Sequence, residues 1–83
     1  MDYRVLIKLY VPEIESEFEY TIPVNKSIYQ VANLLNKAVN NSMPEFPIKE
    51  VVHLCNRNSG ILYNNTDIIR NTDIRNGTEL IMY

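Results

Sequence analysis

Eighty-three residues suit one domain spanning 1–83, near the lower size at which a single core suffices. With 46 % hydrophobic and 22 % charged residues the composition is that of a folded protein and excludes wholesale disorder. The net charge is −2 and the eight basic residues are scattered, so the basic stripe that phosphate neutralisation needs is missing and nucleic acid is not an expected partner.

The first apolar stretch, Val5-Leu6-Ile7, is interrupted by Lys8, which leaves neither a secretory signal nor a membrane span. A single cysteine, Cys55, excludes an internal disulfide and suits a reducing compartment. The expected location is therefore the cytoplasm, with no direct membrane insertion. Four Asn-x-Ser/Thr sequons fall among eleven asparagines, a number expected by chance.

Tyr3, Val5, Ile7, Leu9 and Val11 recur with the two-residue period of a strand, with Arg4, Leu6, Lys8 and Tyr10 on the other face. Pro12 ends that run, and Glu13 to Ser16 reads as a connecting loop. A second strand follows, with Phe18, Tyr20, Ile22 and Val24 inward and Glu17, Glu19 and Thr21 outward. Pro23 points to an edge position for it. The alternating Glu13, Glu15, Glu17 and Glu19 read as a solvated strand face that blunts the edge against self-pairing.

Ser27 caps a helix of about fourteen residues, with Ile28, Val31, Ala32, Leu35, Ala38 and Val39 at helical spacing. Leu34 widens the apolar stripe, and Gln30, Asn33, Asn36 and Lys37 face away. Pro44 forbids continuation. Met43 to Lys49 is an irregular connector, and Val51 to Cys55 is a third strand with Val52 and Leu54 on one face and Val51, His53 and Cys55 on the other. Ile61-Leu62-Tyr63 is a short fourth strand, and Ile68-Ile69 cap the core from a short helical or looped segment. Asn76-Gly77 then makes a tight turn into a final strand, with Leu80 and Met82 on one face and Ile81 and Tyr83 on the other.

The order β-β-α-β-β-β, with one helix to cover one sheet face, places the final strand in the centre, parallel to the first. That is an α+β, β-grasp arrangement with a mixed sheet. The residues carry the same message. Val24-Asn25-Lys26-Ser27-Ile28-Tyr29-Gln30-Val31 resembles the helix entry of ubiquitin-like proteins, and Asn71 through Leu80 resembles their closing segment. More narrowly, Ser42-Met43-Pro44 and Asp73 through Ile81 are similar to the YukD/EsaB family of small bacterial ubiquitin-like proteins. That resemblance implies a ubiquitin-like fold over the chain and an accessory role in WXG100-type (type VII) secretion systems.

Chemistry is sparse. His53 and Cys55 share a strand face but supply two of the four ligands of a zinc site, with no second His or Cys. A nucleophile and base would also need a third orienting group. Gly60 and Gly77 are too far apart for a phosphate loop. No catalytic residue, metal or cofactor is expected, and the protein is not read as an enzyme.

Conjugated modifiers and sulfur carriers of the resembled fold act through a Gly-Gly carboxylate, whereas this sequence closes on Tyr83. Non-covalent docking is accordingly the expected mode, with a modifier, a sulfur carrier or a domain detached from a larger membrane component as alternatives. The face opposite the helix is expected to carry Leu6, Lys8, Val51, His53, Cys55, Ile81 and Tyr83, an apolar-rich surface for a protein partner or for self-association. On this reading Ile81→Asp abolishes binding and leaves the fold intact.

Overall fold

A computed structural model describes residues 3–83; residues 1 and 2, which the single-domain expectation includes, lie outside the described residues. The elements are β1 (Arg4–Val11), β2 (Ser16–Pro23), α1 (Ile28–Ser42), β3 (Leu54–Asn56) and β4 (Glu79–Met82), with 3-10 turns at Pro12–Ile14 and Ile69–Asn71. The sheet order is β2-β1-β4-β3. β1 pairs antiparallel with β2 and parallel with β4, and β4 pairs antiparallel with β3. This is the expected mixed sheet of a β-grasp, with Pro23 on the edge strand and the last strand in the middle.

The final strand reaches the centre because the turn before it is anchored on β1. Gly77 adopts φ +88°, a left-handed conformation that glycine tolerates, and the Thr78 amide closes the turn on the Arg75 carbonyl. The Gly77 amide donates to the Leu6 carbonyl at 2.7 Å, and the Leu6 amide donates to Asn76 Oδ1 at 2.8 Å. These two bonds set β4 against β1 in the register Lys8–Glu79, Leu9–Leu80, Tyr10–Ile81.

The helix begins where its unpaired amides find acceptors. Ser27 Oγ accepts from the Gln30 amide, and the Gln30 side chain accepts from the Ser27 amide, a reciprocal capping box. The Ile28 and Tyr29 amides donate to the carbonyls of Asp67 and Asn65, which ties the helix entry to the loop before the second 3-10 turn. Ile28, Val31, Ala32, Leu35 and Val39 then pack with Ile7, Leu9, Val11, Ile22, Leu54, Leu80 and Met82 in one core. Ile69 joins them from the 3-10 turn, as expected of a capping segment.

Several expectations need correction. Ile61-Leu62-Tyr63 forms no strand, only an isolated bridge between Leu62 and Cys55, so the sheet has four strands among the described residues. The third strand begins at Leu54, later than Val51, although His53 and Tyr83 exchange two backbone hydrogen bonds and prolong the pairing. The segment Glu13 to Ser16 is partly a 3-10 turn, and Glu15 in it takes φ +49°. Of the four glutamates only Glu17 and Glu19 share a strand face; Glu13 pairs with Lys49.

The helix stripe also differs at two positions. Leu34 is 52 % exposed, whereas Asn36 is only 2 % exposed. Asn36 Nδ2 donates to the Lys49 carbonyl at 2.8 Å and its Oδ1 accepts from the Lys49 amide, so the connector is pinned to the helix. Asn40 Nδ2 does the same for the Phe46 carbonyl at 2.7 Å. A connector without its own ladder needs such partners, and an inward amide supplies them where leucine would not.

A second polar pin lies inside the loop half. The Tyr63 hydroxyl donates to Asp73 Oδ1 at 2.6 Å and accepts from Asn56 Nδ2 at 3.1 Å. Burial, with the Asp73 hydrogen bond second, pushes the tyrosine pKa from 10.0 to about 12. Between those values the unfolded chain has released the proton and the folded one still holds it, so stability falls as pH rises through that window. Tyr63→Phe is expected to lose about 1 kcal/mol at neutral pH and to flatten the alkaline decline. Urea unfolding of both proteins across the alkaline range checks this; parallel curves would mean the hydroxyl is not the titrating group.

Candidate functional site

Helix α1 covers one sheet face and leaves the other uncovered by any described helix. Side chains on that outer face come from alternate residues of each strand, and the register fixes their neighbours. One row runs Leu62, Cys55, Ile81, Tyr10, Glu17 from the β3 side to the β2 edge. The next runs Glu79, Lys8, Glu19. Beyond Ile81 the pairing of His53 with Tyr83 adds a third, and their rings lie 5.6 Å apart between centroids.

The face is divided into two unlike halves. Toward β2 it is polar. Arg57 stacks its guanidinium 4.5 Å from the centre of the Tyr10 ring, hydrogen-bonds Glu17 and lies 3.9 Å from Glu79. The Glu17 hydrogen bond raises the Arg57 pKa above its already high ordinary value. Such exposed pairs contribute little to stability but occupy the surface.

Toward β3 the face is apolar. Leu62 is 54 % exposed and Tyr83 45 %, beside half-buried Cys55, Ile81 and His53, and Val51, two residues before His53, is 64 % exposed. Four of the seven expected residues, His53, Cys55, Ile81 and Tyr83, thus belong to one region, and Val51 precedes it in the connector. Leu6 and Lys8 lie outside it. Leu6 abuts Gly77, six residues before Tyr83, which at strand spacing is about 20 Å away. Lys8 sits between Glu19 and Glu79 in the polar half.

Leu62 was missed in the sequence because a three-residue apolar run carries no periodicity that tells which side each residue takes. Its bridge to Cys55 places it on the outer face. Ile81 is half-buried between Tyr10 and Cys55 in the central strand, so a carboxylate there would disturb the sheet as well as the surface. The exposed Val51 and Leu62 make cleaner probes.

His53 and Cys55 do share the outer face, but the imidazole neighbours the Tyr83 ring. Among the described residues no group of three or more His, Cys, Asp or Glu side chains is placed to hold a metal ion. No helix among them is long and apolar enough to cross a membrane.

No protein-family model matches the chain, and no curated protein matches it. Solved structures do. The ubiquitin-like domain of EccD5 from Mycobacterium xenopi superposes with a TM-score of 0.80 at 14 % identity, over 98 % of this chain and 93 % of that one. A chain of the MycP5-free ESX-5 inner membrane complex matches with a TM-score of 0.79 at 17 % identity, over 96 % of this chain. This chain spans only 20 % of that one. A chain of the toluene 4-monooxygenase HD complex with 4-bromobenzoate matches with a TM-score of 0.75 at 13 % identity, over 96 % of each. At such identities the likeness establishes the fold, a ubiquitin-like β-grasp, and leaves function to the surface.

Proposed function

We propose that this ubiquitin-like β-grasp domain is a non-catalytic protein-binding module of a type VII secretion system. It works as a single cytoplasmic domain that docks non-covalently on a component of the membrane assembly. The observation that carries the reading is the apolar half of the outer sheet face, where Leu62 and Tyr83 stand exposed beside Ile81, His53 and Cys55, with exposed Val51 two residues before His53. Large apolar groups clustered on an uncovered face are a common mark of protein interfaces. The secretion context is supported by the fold likeness to the EccD5 domain and the ESX-5 complex, and by the resemblance of Ser42-Met43-Pro44 and Asp73 through Ile81 to YukD/EsaB proteins.

The test is co-purification from detergent-solubilised membranes of the native cells, using immobilised wild-type domain and a Val51→Asp, Leu62→Asp double variant. Both substituted side chains are exposed, so the variant should keep its circular dichroism spectrum and thermal midpoint. Recovery of a secretion component is expected to fall about tenfold or more, the loss that one or two central contacts bring. Equal recovery by the variant would move the interface elsewhere.

The 20 % span of the ESX-5 chain favours a second reading, in which the domain is one part of a larger membrane component. Intact mass of the native protein separates the two. A species at 9.7 kDa supports the free module, and a much larger one supports the alternative.

A further inference from the structure

At the end of the sheet remote from Tyr83 lies a second concavity, separate from the docking face. It has a volume of about 320 Å³ and is lined by Tyr3, Val5, Val24, Arg70, Ile74 and Arg75. Its walls are held by backbone bonds: the Val24 amide donates to the Tyr3 carbonyl at 3.1 Å, and the Arg70 amide to the Val24 carbonyl at 2.9 Å. Ile74 is fully buried, Val5 and Val24 are half-buried, and both arginines are exposed.

Two exposed guanidiniums flank this apolar cleft. Arg57 faces Glu17 and Glu79, Lys49 pairs with Glu13, and Lys8 lies between Glu19 and Glu79. Neither Arg70 nor Arg75 pairs with a carboxylate among the described residues, although the chain as a whole is acidic. Arg75 Nη1 donates to the neutral carbonyls of Thr72 and Ile74, both at 2.7 Å, which holds its guanidinium in place with other N–H groups to spare. The nearby Asp73 carboxylate accepts from Tyr63.

We infer that this cleft binds an extended segment of a partner protein carrying a Leu or Phe flanked by Asp or Glu. The apolar side chain enters between Val5, Val24 and Ile74, and the flanking carboxylates meet the guanidiniums of Arg70 and Arg75. Guanidinium and carboxylate form charge-assisted, often bidentate pairs, and the apolar neighbours lower the local dielectric in which they form. A small free anion would satisfy the arginines but leave the apolar lining unused. With the sheet face engaged elsewhere, the cleft lets one small domain hold two segments at once.

The test is a two-dimensional amide NMR titration of the 83-residue protein with the acetylated, amidated peptide Asp-Glu-Phe-Asp-Glu. Two controls accompany it, Asn-Gln-Phe-Asn-Gln and Asp-Glu-Ala-Asp-Glu. Shifts are expected to concentrate on Val5, Val24, Arg70, Ile74 and Arg75. Each control, and the Arg70→Glu variant, should weaken binding about tenfold. Arg70→Gln, which removes the charge without reversing it, serves if Arg70→Glu does not fold. Shifts confined to the Val51, Leu62 and Tyr83 region, equal binding of either control, unchanged affinity in the arginine variants, or no localised shifts at all would each overturn the inference. The sheet-face reading has its own test, with different variants and a different partner, so its failure is distinguishable from the failure of this inference.

Discussion

Leu80→Ala is expected to cost about 3–5 kcal/mol, the upper part of the range for truncating a fully buried leucine. Leu80 lies in the central strand, opposite Leu9 on β1 and Asn56 on β3, and its side chain is wholly enclosed in the core beneath α1. Hydrogen-bonded ladders on both sides prevent β4 from sinking into the cavity left by the truncation. The lost contacts are therefore not recovered by relaxation. A chain of this length has a total stability of roughly 4–12 kcal/mol, so the variant retains little of it or unfolds. Urea unfolding followed by circular dichroism reads the effect. Ile81→Ala, one residue on but facing outward and half-buried, should cost only about 1 kcal/mol. Equal losses at the two positions would mean that β4 has been assigned the wrong faces.

Asn36→Ala is the second large effect, at about 2 kcal/mol. The amide side chain serves both the carbonyl and the amide of Lys49, and alanine would leave those two partly buried groups without partners. The connector that brings buried Phe46 onto the core depends on this pin and on its neighbour from Asn40. Loosening it should also speed hydrogen exchange of the Lys49 amide, which a purely local helix effect would not do. Leu34→Lys supplies the contrast. Its side chain is mostly outside, and the change should stay within about 0.5 kcal/mol. If Leu34→Lys proved the more damaging, the helix would be rotated about its axis from the orientation described above.

Those two helix positions mark the limit of pattern reading. Leu34 and Asn36 both lie beside the apolar stripe of α1, where an angular offset of a fraction of a turn decides between core and solvent. Residue type points the wrong way at both. The asymmetry is physical: Asn36 is inside because a connector with no ladder of its own needs a donor and an acceptor, and that connector is distant in sequence. Leu34 is outside because the stripe was already filled by Val31, Ala32, Leu35 and Val39.

The strands divide the same way. β1 and β2 are each eight residues long, and both were readable because alternation over that length is unambiguous. Val51–Cys55 and Ile61–Tyr63 are too short for that, and their extent was decided by pairing. β4 serves as an edge-to-edge partner for β3 over three residues, while Leu62 finds a single bridging position beside Cys55. Of the candidate docking residues, His53, Cys55, Ile81 and Tyr83 lie on one side of the sheet, while Val51 falls in the connector before β3. The alternation said nothing of distance along the strands or of neighbouring charge, so Leu6, from the far end, and Lys8, from the polar half, were grouped with them.

By itself, then, the order of elements and their apolar periods determined the β-grasp, the central last strand, the helix cap at Ser27 and the face of each long strand. These follow from local geometry: two-residue and 3.6-residue periods, capping chemistry and a turn that only a residue such as Gly77 adopts without strain. Tertiary structure alone decided the rest. It split the outer face into a polar half strapped by Arg57 and an apolar half around Ile81, turned Asn36 inward, and brought Arg70 and Arg75 to one cleft beside Val5 and Val24. Each of those outcomes joins residues from separate elements. Their proximity depends on register and crossover, which no local window of sequence contains.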